Sequence, residues 1–275
     1  MNKKLADLHM HSSFSDGKLT PHDLANLVYR SGLRAFALTD HDTLKGLPEA
    51  KAAALGLGVE FVPGVEISAG HDEREVHILG YYPQDLELLD RLLDEMRLDR
   101  YDRMEKMVRR LISEGFKIEM NEVLQEAGNA APGRLHLARL LVRKKYVVNI
   151  DQAFNLYLAR GKAGYVKRSL PASEKVIKLL HECGAVPVLA HPKSEGKEDP
   201  QELKNYGLQG IEVYHPDHSK SLVIYYRELA EKLDLAVTGG SDYHGDHEGS
   251  RGNIKKYAID YGHLNQLKKA VRTWK

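Results

Sequence analysis

With 275 residues, the chain is long enough for one large α/β domain or for a domain carrying an insertion. Its 40 Lys and Arg against 39 Asp and Glu leave a formal net charge of +1, which excludes a broad field for polyanions and makes any nucleotide recognition local. Cys183 is the only cysteine, so an intramolecular disulfide and a cysteine-cluster metal site are excluded.

Lys3 and Lys4 lead into no apolar run, because Asp7 and His9 interrupt it at once. No stretch approaches the roughly 18 apolar residues of a membrane helix, and a soluble, cytoplasmic protein is expected. A short apolar strand, Leu5 to Leu8, runs into Asp7-Leu-His-Met-His-Ser12. In extended backbone His9 and His11 point to one face, which makes them a candidate pair of metal ligands. A polar loop with Asp16-Gly17 follows. Thr20-Pro21-His22-Asp23 predicts a helix start, with Thr20 as the cap and Pro21 in the first turn. That helix stops near Gly32. Arg34 to Leu38 is a second strand, ending in Thr39-Asp-His-Asp42. A helix over 47–57 stops at Gly56 and Gly58. Val59 to Val65 is a third strand, ending at Glu66, and Val76 to Tyr81 a fourth, opening beside His77. This alternation predicts a parallel sheet or barrel.

From about 85 to 160 the pattern is helical, with predicted helices over 86–111, 121–126, 134–144 and 151–158, and no convincing strand. The segment lacks spacer composition and reads as an inserted subdomain, leaving 1–84 and 161–275 as the barrel. If it is a cap, it is expected to contribute substrate contacts rather than strands. Alternation resumes with a helix over 173–182. The strand Ala185 to Ala190 ends at His191-Pro192, and Gly210 to Tyr214 ends at His215-Pro216. A helix covers 219–233, and a seventh strand, Leu235 to Thr238, ends in Gly239-Gly-Ser-Asp-Tyr-His244.

His9, His11, His41, Glu66, His191, Asp242 and His244 therefore lie at or just past predicted strand ends, with Asp16 in the loop after the first. A barrel gathers such ends on one rim. Exposed strand ends explain polarity, but not the repeated choice of imidazole and carboxylate. Donors of this kind without thiolate suit Mn²⁺, Fe²⁺ or Zn²⁺. With His77 they number nine, more than one ion can use, so two or three divalent ions sharing a bridging carboxylate are expected.

These motifs, with Gly64-Val-Glu-Ile67 and Ala190-His-Pro192, resemble those of the PHP (polymerase and histidinol phosphatase) family. The inserted Gly133-Arg-Leu-His-Leu-Ala-Arg-Leu-Leu141 and Arg160-Gly-Lys-Ala-Gly-Tyr-Val166 resemble the subgroup that dephosphorylates nucleoside 3′,5′-bisphosphates and trims short RNA from its 5′ end. The resemblance covers nearly the whole chain. It implies a distorted (β/α)₇ barrel with an inserted helical cap, and a trinuclear centre with Mn²⁺ as the expected metal. By position, His9, His11, Glu66 and Asp242 would hold one ion, Glu66, His77 and His191 a second, and Asp16, His41 and His244 a third. Leu135 departs from the expected Arg-Pro-His without removing the arginine.

Asp7, Asp40 and Asp42 are read as capping residues or as residues holding imidazole N–H groups. Arg134, Lys162 and Arg168 are candidate phosphate clamps. His215 is a candidate substrate contact or leaving-group acid. His22, His71, His136, His181, His247 and His263 are expected to be surface or helix residues without chemistry. The reading is a metal-dependent phosphohydrolase of phosphorylated nucleotides, with short RNA as a further substrate and no obligate protein partner. A phosphatase of another monoester such as histidinol phosphate, and a non-catalytic PHP module supporting a polymerase, are the alternatives. The insertion argues against the first, the stand-alone length and full ligand set against the second.

Overall fold

The computed structural model describes residues 4–72, 74–192, 200–245 and 252–273. The chain divides into two compact units, residues 1–91 with 170–275 and residues 92–169.

The first unit is built on one eight-stranded sheet. Its strands are β1 (Leu5–Asp7), β2 (Ala35–Leu38), β3 (Glu60–His71), β4 (Arg74–Tyr81), β5 (Val186–Leu189), β6 (Gly210–Tyr214), β7 (Ala236–Gly239) and β8 (Ile259–Asp260). They run in the order β7-β6-β5-β4-β3-β2-β1-β8. The ends of the sheet turn toward each other. Leu8 N donates to Gly239 O at 3.1 Å, and Met10 pairs in parallel with Tyr243. The result is a nearly closed, distorted barrel, as the motifs implied.

Small residues let the strands close around a narrow interior. Ala6, Ala35, Ala37, Val62, Val186 and Val188 are buried there together with Leu79 and Tyr81. Tyr81 donates its hydroxyl to Leu8 O at 2.8 Å, tying β4 to the end of β1. Helices cover the outside: α1 (Pro21–Ser31) and α2 (Leu47–Leu57) lie between the early strands in sequence. Thr20 caps α1 by accepting from Asp23 N, and Gly32 ends it in the left-handed conformation, as the sequence predicts.

Three features of the sheet differ from the sequence reading. The strand expected to stop before Glu66 continues to His71, because Val65, Ile67 and Ala69 stay buried and pair with Gly80, Ile78 and Val76 of β4. β4 is therefore antiparallel to both β3 and β5, and the sheet is mixed rather than parallel. β8 adds an eighth strand, antiparallel to β1, which a two-residue pairing is too short to announce by periodicity.

The second unit is helical. After α3 (Leu86–Ser113), which begins in the first unit, come α4 (Met120–Ala127), α5 (Arg134–Arg143), α6 (Ile150–Ala153) and a single π-helical turn, Phe154–Leu158. Met104, Met107, Leu111, Leu137, Leu141 and Leu158 form its buried core. Its described residues contain no strand. The chain then returns to the first unit through α7 (Ser173–Glu182), α8 (Pro200–Asn205), α9 (Lys220–Lys232) and α10 (Tyr261–Thr273). No described helix is long and apolar enough to cross a membrane.

Candidate metal centre

The barrel rim gathers the predicted ligands around one carboxylate. Glu66 is fully buried in the middle of β3. Its Oε2 lies 3.2 Å from His9 Nε2, 3.2 Å from His11 Nε2 and 3.0 Å from His41 Nδ1. Its Oε1 lies 2.8 Å from His77 Nδ1 and 2.9 Å from His191 Nε2. From the end of β7, Asp242 Oδ1 comes within 3.2 Å of His11 Nε2 and 3.5 Å of His9 Nε2. Asp16 Oδ1 lies 3.1 Å from His244 Nε2, and its Oδ2 is 4.0 Å from His41 Nε2.

At the rim the potential ligand sets, each with donor atoms within 4.8 Å of one another, are His9, His11, Glu66 and Asp242; His11, Asp16, His41 and His244; and His41, Glu66 and His77. His191 joins through Glu66 Oε1 rather than through the last of these sets. The nine predicted ligands are thus brought together, with Glu66 placed to bridge.

These atoms fit metal ions. His9 Nε2, His11 Nε2, Asp16 Oδ1, His41 Nδ1 and Glu66 Oε2 are buried without a hydrogen-bond partner. Buried polar atoms without partners are costly, and a cation at their focus would satisfy them together. Two ligands each ~2.1 Å from one ion stand roughly 3–4 Å apart, which is the spacing found here.

The electrostatics point the same way. Burial alone would strip the proton from His11, but hydrogen bonds and charge from Asp242 and Glu66 push it up to about 10. Burial likewise opposes a charged His77, and the neighbouring Glu66 and Glu75 raise it to about 10. Glu66 and Asp242, which burial would raise, are held well below the usual carboxylate range by the imidazoles. The carboxylates therefore stay anionic and attract positive charge at the rim. His41 is the exception, driven down to about 4 by burial ahead of its neighbours' charges.

Several backbone features hold the rim. His191, Asp242 and Asp42 have φ of +28°, +50° and +52°, conformations that cost free energy in non-glycine residues and are often found at functional sites. Gly240 passes so close to β1 that a Cβ there would lie 2.5 Å from His9 N.

Of the two roles expected of Asp7, Asp40 and Asp42, the capping of backbone N–H groups is the one seen. Asp7 accepts from His9 N at 3.1 Å and Ser241 N at 3.0 Å, joining the ends of β1 and β7. Burial, only partly offset by these bonds, lifts its carboxyl to about 7. Asp40 accepts from Ser12 N, Ser12 Oγ and Ser15 Oγ, fixing the loop after His11. Asp42 accepts from Ser68 N. The carboxylate that does hold an imidazole is Glu212, which the sequence reading missed. It is fully buried on β6, 3.0 Å from His9 Nδ1, and accepts from His191 N at 2.8 Å.

His215 is 1% exposed. Its Nδ1 accepts from Asp217 N at 3.1 Å, which puts the proton of the neutral ring on Nε2, 3.5 Å from Asp242 Oδ2. Among the histidines assigned no chemistry, His22 is exposed and His263 half-buried on helices, and His136 and His181 are buried on helices. His71 departs from expectation: it is buried at the end of β3. His247 lies outside the described residues.

Arg134, Lys162 and Arg168 belong to the second unit. Arg134 opens α5, its guanidinium 5.6 Å from the Phe154 ring centre and 6.0 Å from that of Tyr165. Lys162 is exposed in a turn and Arg168 half-buried.

The PHP domain family matches residues 7–182. A 5′-3′ exoribonuclease of Haemophilus influenzae is 33% identical over 89% of this chain and 91% of its own. A 3′,5′-nucleoside bisphosphate phosphatase of Chromobacterium violaceum is 32% identical over 95% and 92%. A structure described as a metal-dependent phosphoesterase of Bifidobacterium adolescentis superposes with a TM-score of 0.88 at 28% identity, covering 96% of each chain.

Proposed function

This chain belongs to the PHP domain family, and from that premise we propose that it is a metal-dependent phosphohydrolase removing a phosphate from nucleoside 3′,5′-bisphosphates, with short RNA as a further substrate. The relatives that carry those two names, each aligned over most of both chains, support the substrate class. The observation that carries the chemistry is Glu66, a fully buried carboxylate ringed by five imidazoles.

In this reading His9, His11, Glu66 and Asp242 hold one ion, Glu66, His77 and His191 a second, and Asp16, His41 and His244 a third, with Mn²⁺ as the resident metal. Bound there, divalent ions supply Lewis acidity toward the phosphoryl oxygens and make water acidic enough to act as nucleophile.

The protein's own groups do the rest. Glu212 accepts from Nδ1 of His9 and leaves its Nε2 lone pair facing Glu66 and Asp242. Asp7 and the close approach of Gly240 fix the spacing between His9 and Asp242. His215 presents its Nε2–H as a hydrogen-bond donor for the leaving-group oxygen, while Asp217 N fixes the ring. Arg134 is assigned the phosphate that is not cleaved, with Lys162 and Arg168 assisting. A guanidinium already seated between two aromatic rings loses less freedom on binding an anion.

Phosphate release tests the proposal. With added Mn²⁺, 3′-phosphoadenosine 5′-phosphate should be hydrolysed with a far higher kcat/KM than histidinol phosphate. A preference for histidinol phosphate would favour the general monoesterase reading. No hydrolysis of any ester would favour the non-catalytic one.

A further inference from the structure

A second group of metal-type side chains lies at the tip of the β3–β4 hairpin, apart from the rim cluster. His71 ends β3, Asp72 follows in the turn, and Glu202 reaches in from α8. One donor atom from each lies within 4.8 Å of the other two. Gly70 N donates to Pro171 O at 2.8 Å, which brings the start of α7 alongside.

His71 is the telling residue. Its side chain is 4% exposed, and Nε2 is buried without a hydrogen-bond partner. Its other nitrogen, Nδ1, is 3.0 Å from Ser173 Oγ. With Ser173 accepting, the proton sits on Nδ1 and Nε2 turns a bare lone pair toward Glu202. Glu202 is prepared in the same way. Its Oε1 accepts from the Tyr206 hydroxyl, leaving Oε2 to face His71 at 3.7 Å. That separation is too long for a hydrogen bond. It is the spacing of two ligands that share one ion, each ~2.1 Å from it. His71 and Glu202 thus each have their far atom fixed by a neighbour, the outer arrangement that orients metal ligands in proteins. Asp72 and Glu174 add negative charge around the cluster.

We propose that His71 Nε2, Glu202 Oε2 and an Asp72 carboxylate oxygen form an accessory site for a divalent first-row ion such as Zn²⁺, separate from the hydrolytic centre. One imidazole with two carboxylates suits such an ion, with water completing the shell. The bound ion would join the β3–β4 hairpin to α8, segments about 130 residues apart in sequence.

The test uses the full chain and Zn²⁺ as probe. Wild type, His71→Ala and Glu202→Gln are dialysed to equilibrium against the same excess of Zn²⁺ and their ion content measured. Each variant should hold a single ion fewer per chain, bind that ion at least about tenfold more weakly, and keep Mn²⁺-supported hydrolysis within about twofold. Glu202→Gln alters one partly exposed group, so it decides the matter if His71→Ala does not fold. Equal ion content in wild type and Glu202→Gln overturns the site and reduces the contact to an imidazole–carboxylate pair. Loss of several ions, or of hydrolysis, in Glu202→Gln also overturns it, because the cluster would then act through the rim.

Discussion

Glu212 Oε1 lies 3.0 Å from Nδ1 of His9, and both side chains are fully buried. Burial would raise the Glu212 carboxyl, but charge and a hydrogen bond from His9, with His215 and His191 behind it, hold it below its ordinary value. An ionised carboxylate in that position fixes both the tautomer and the tilt of the ring it faces. Glu212→Leu should therefore weaken metal binding roughly ten- to hundredfold, the range seen when such outer partners are removed. A Mn²⁺ activation titration reads this directly. Unaltered Mn²⁺ dependence in a folded variant would show that Glu212 serves only packing.

Asp242→Asn replaces an anionic donor with a neutral, poor one. Turnover should fall by more than roughly a hundredfold, a barrier increase of about 2.7 kcal/mol or more. The circular dichroism spectrum should remain native, because the barrel core does not include this residue. Activity within about tenfold of wild type would remove Asp242 from the centre.

Gly240→Ala tests how the barrel is closed. The added Cβ would meet His9 Cβ at 2.4 Å and His9 N at 2.5 Å, contacts only a backbone shift can relieve. Overpacking of this kind costs about 1–3 kcal/mol, and the shift falls on a proposed ligand. Both Tm and Mn²⁺ affinity should drop. A lower Tm with unchanged affinity would place the strain elsewhere in the fold.

Arg134→Ala separates nucleotide recognition from general phosphatase chemistry. Charge-assisted hydrogen bonds are worth about 1.5–3 kcal/mol, so kcat/KM on 3′-phosphoadenosine 5′-phosphate should fall roughly ten- to hundredfold. p-Nitrophenyl phosphate has no second phosphate and should be affected far less. An equal loss on both substrates would assign Arg134 to the reacting phosphate or to the fold.

Much of the site was legible because a barrel puts strand ends on one rim, so imidazoles scattered between His9 and His244 could be read as neighbours. Glu212 was not. In Gly210-Ile-Glu-Val-Tyr214 it looks like an outward residue of an alternating strand. β6, however, is parallel to both neighbours and buried on both faces, where a charge signals a partner. The orientation of β4 was hidden for a related reason: alternation marks a strand but carries no direction. The short link from His71 to Arg74 was the available clue to a hairpin. His71 was misread with it, since a hairpin tip packed against α7 is not the surface loop that two parallel strands would need. Along α10, Leu264 and Leu267 are both buried at a helical spacing, a signal the sequence carried and the reading passed over.

The most direct test of the account is bisphosphate hydrolysis measured together with ion content, before and after chelation. Protein stripped with EDTA and freed of chelator should hold less than one ion per chain and release phosphate from 3′-phosphoadenosine 5′-phosphate more than roughly a hundredfold more slowly. Added Mn²⁺ should restore both the rate and a content of two or three ions at the rim, counted in Glu202→Gln so that the accessory site does not contribute. Undiminished hydrolysis by protein holding less than one ion per chain would contradict the metal-centred account.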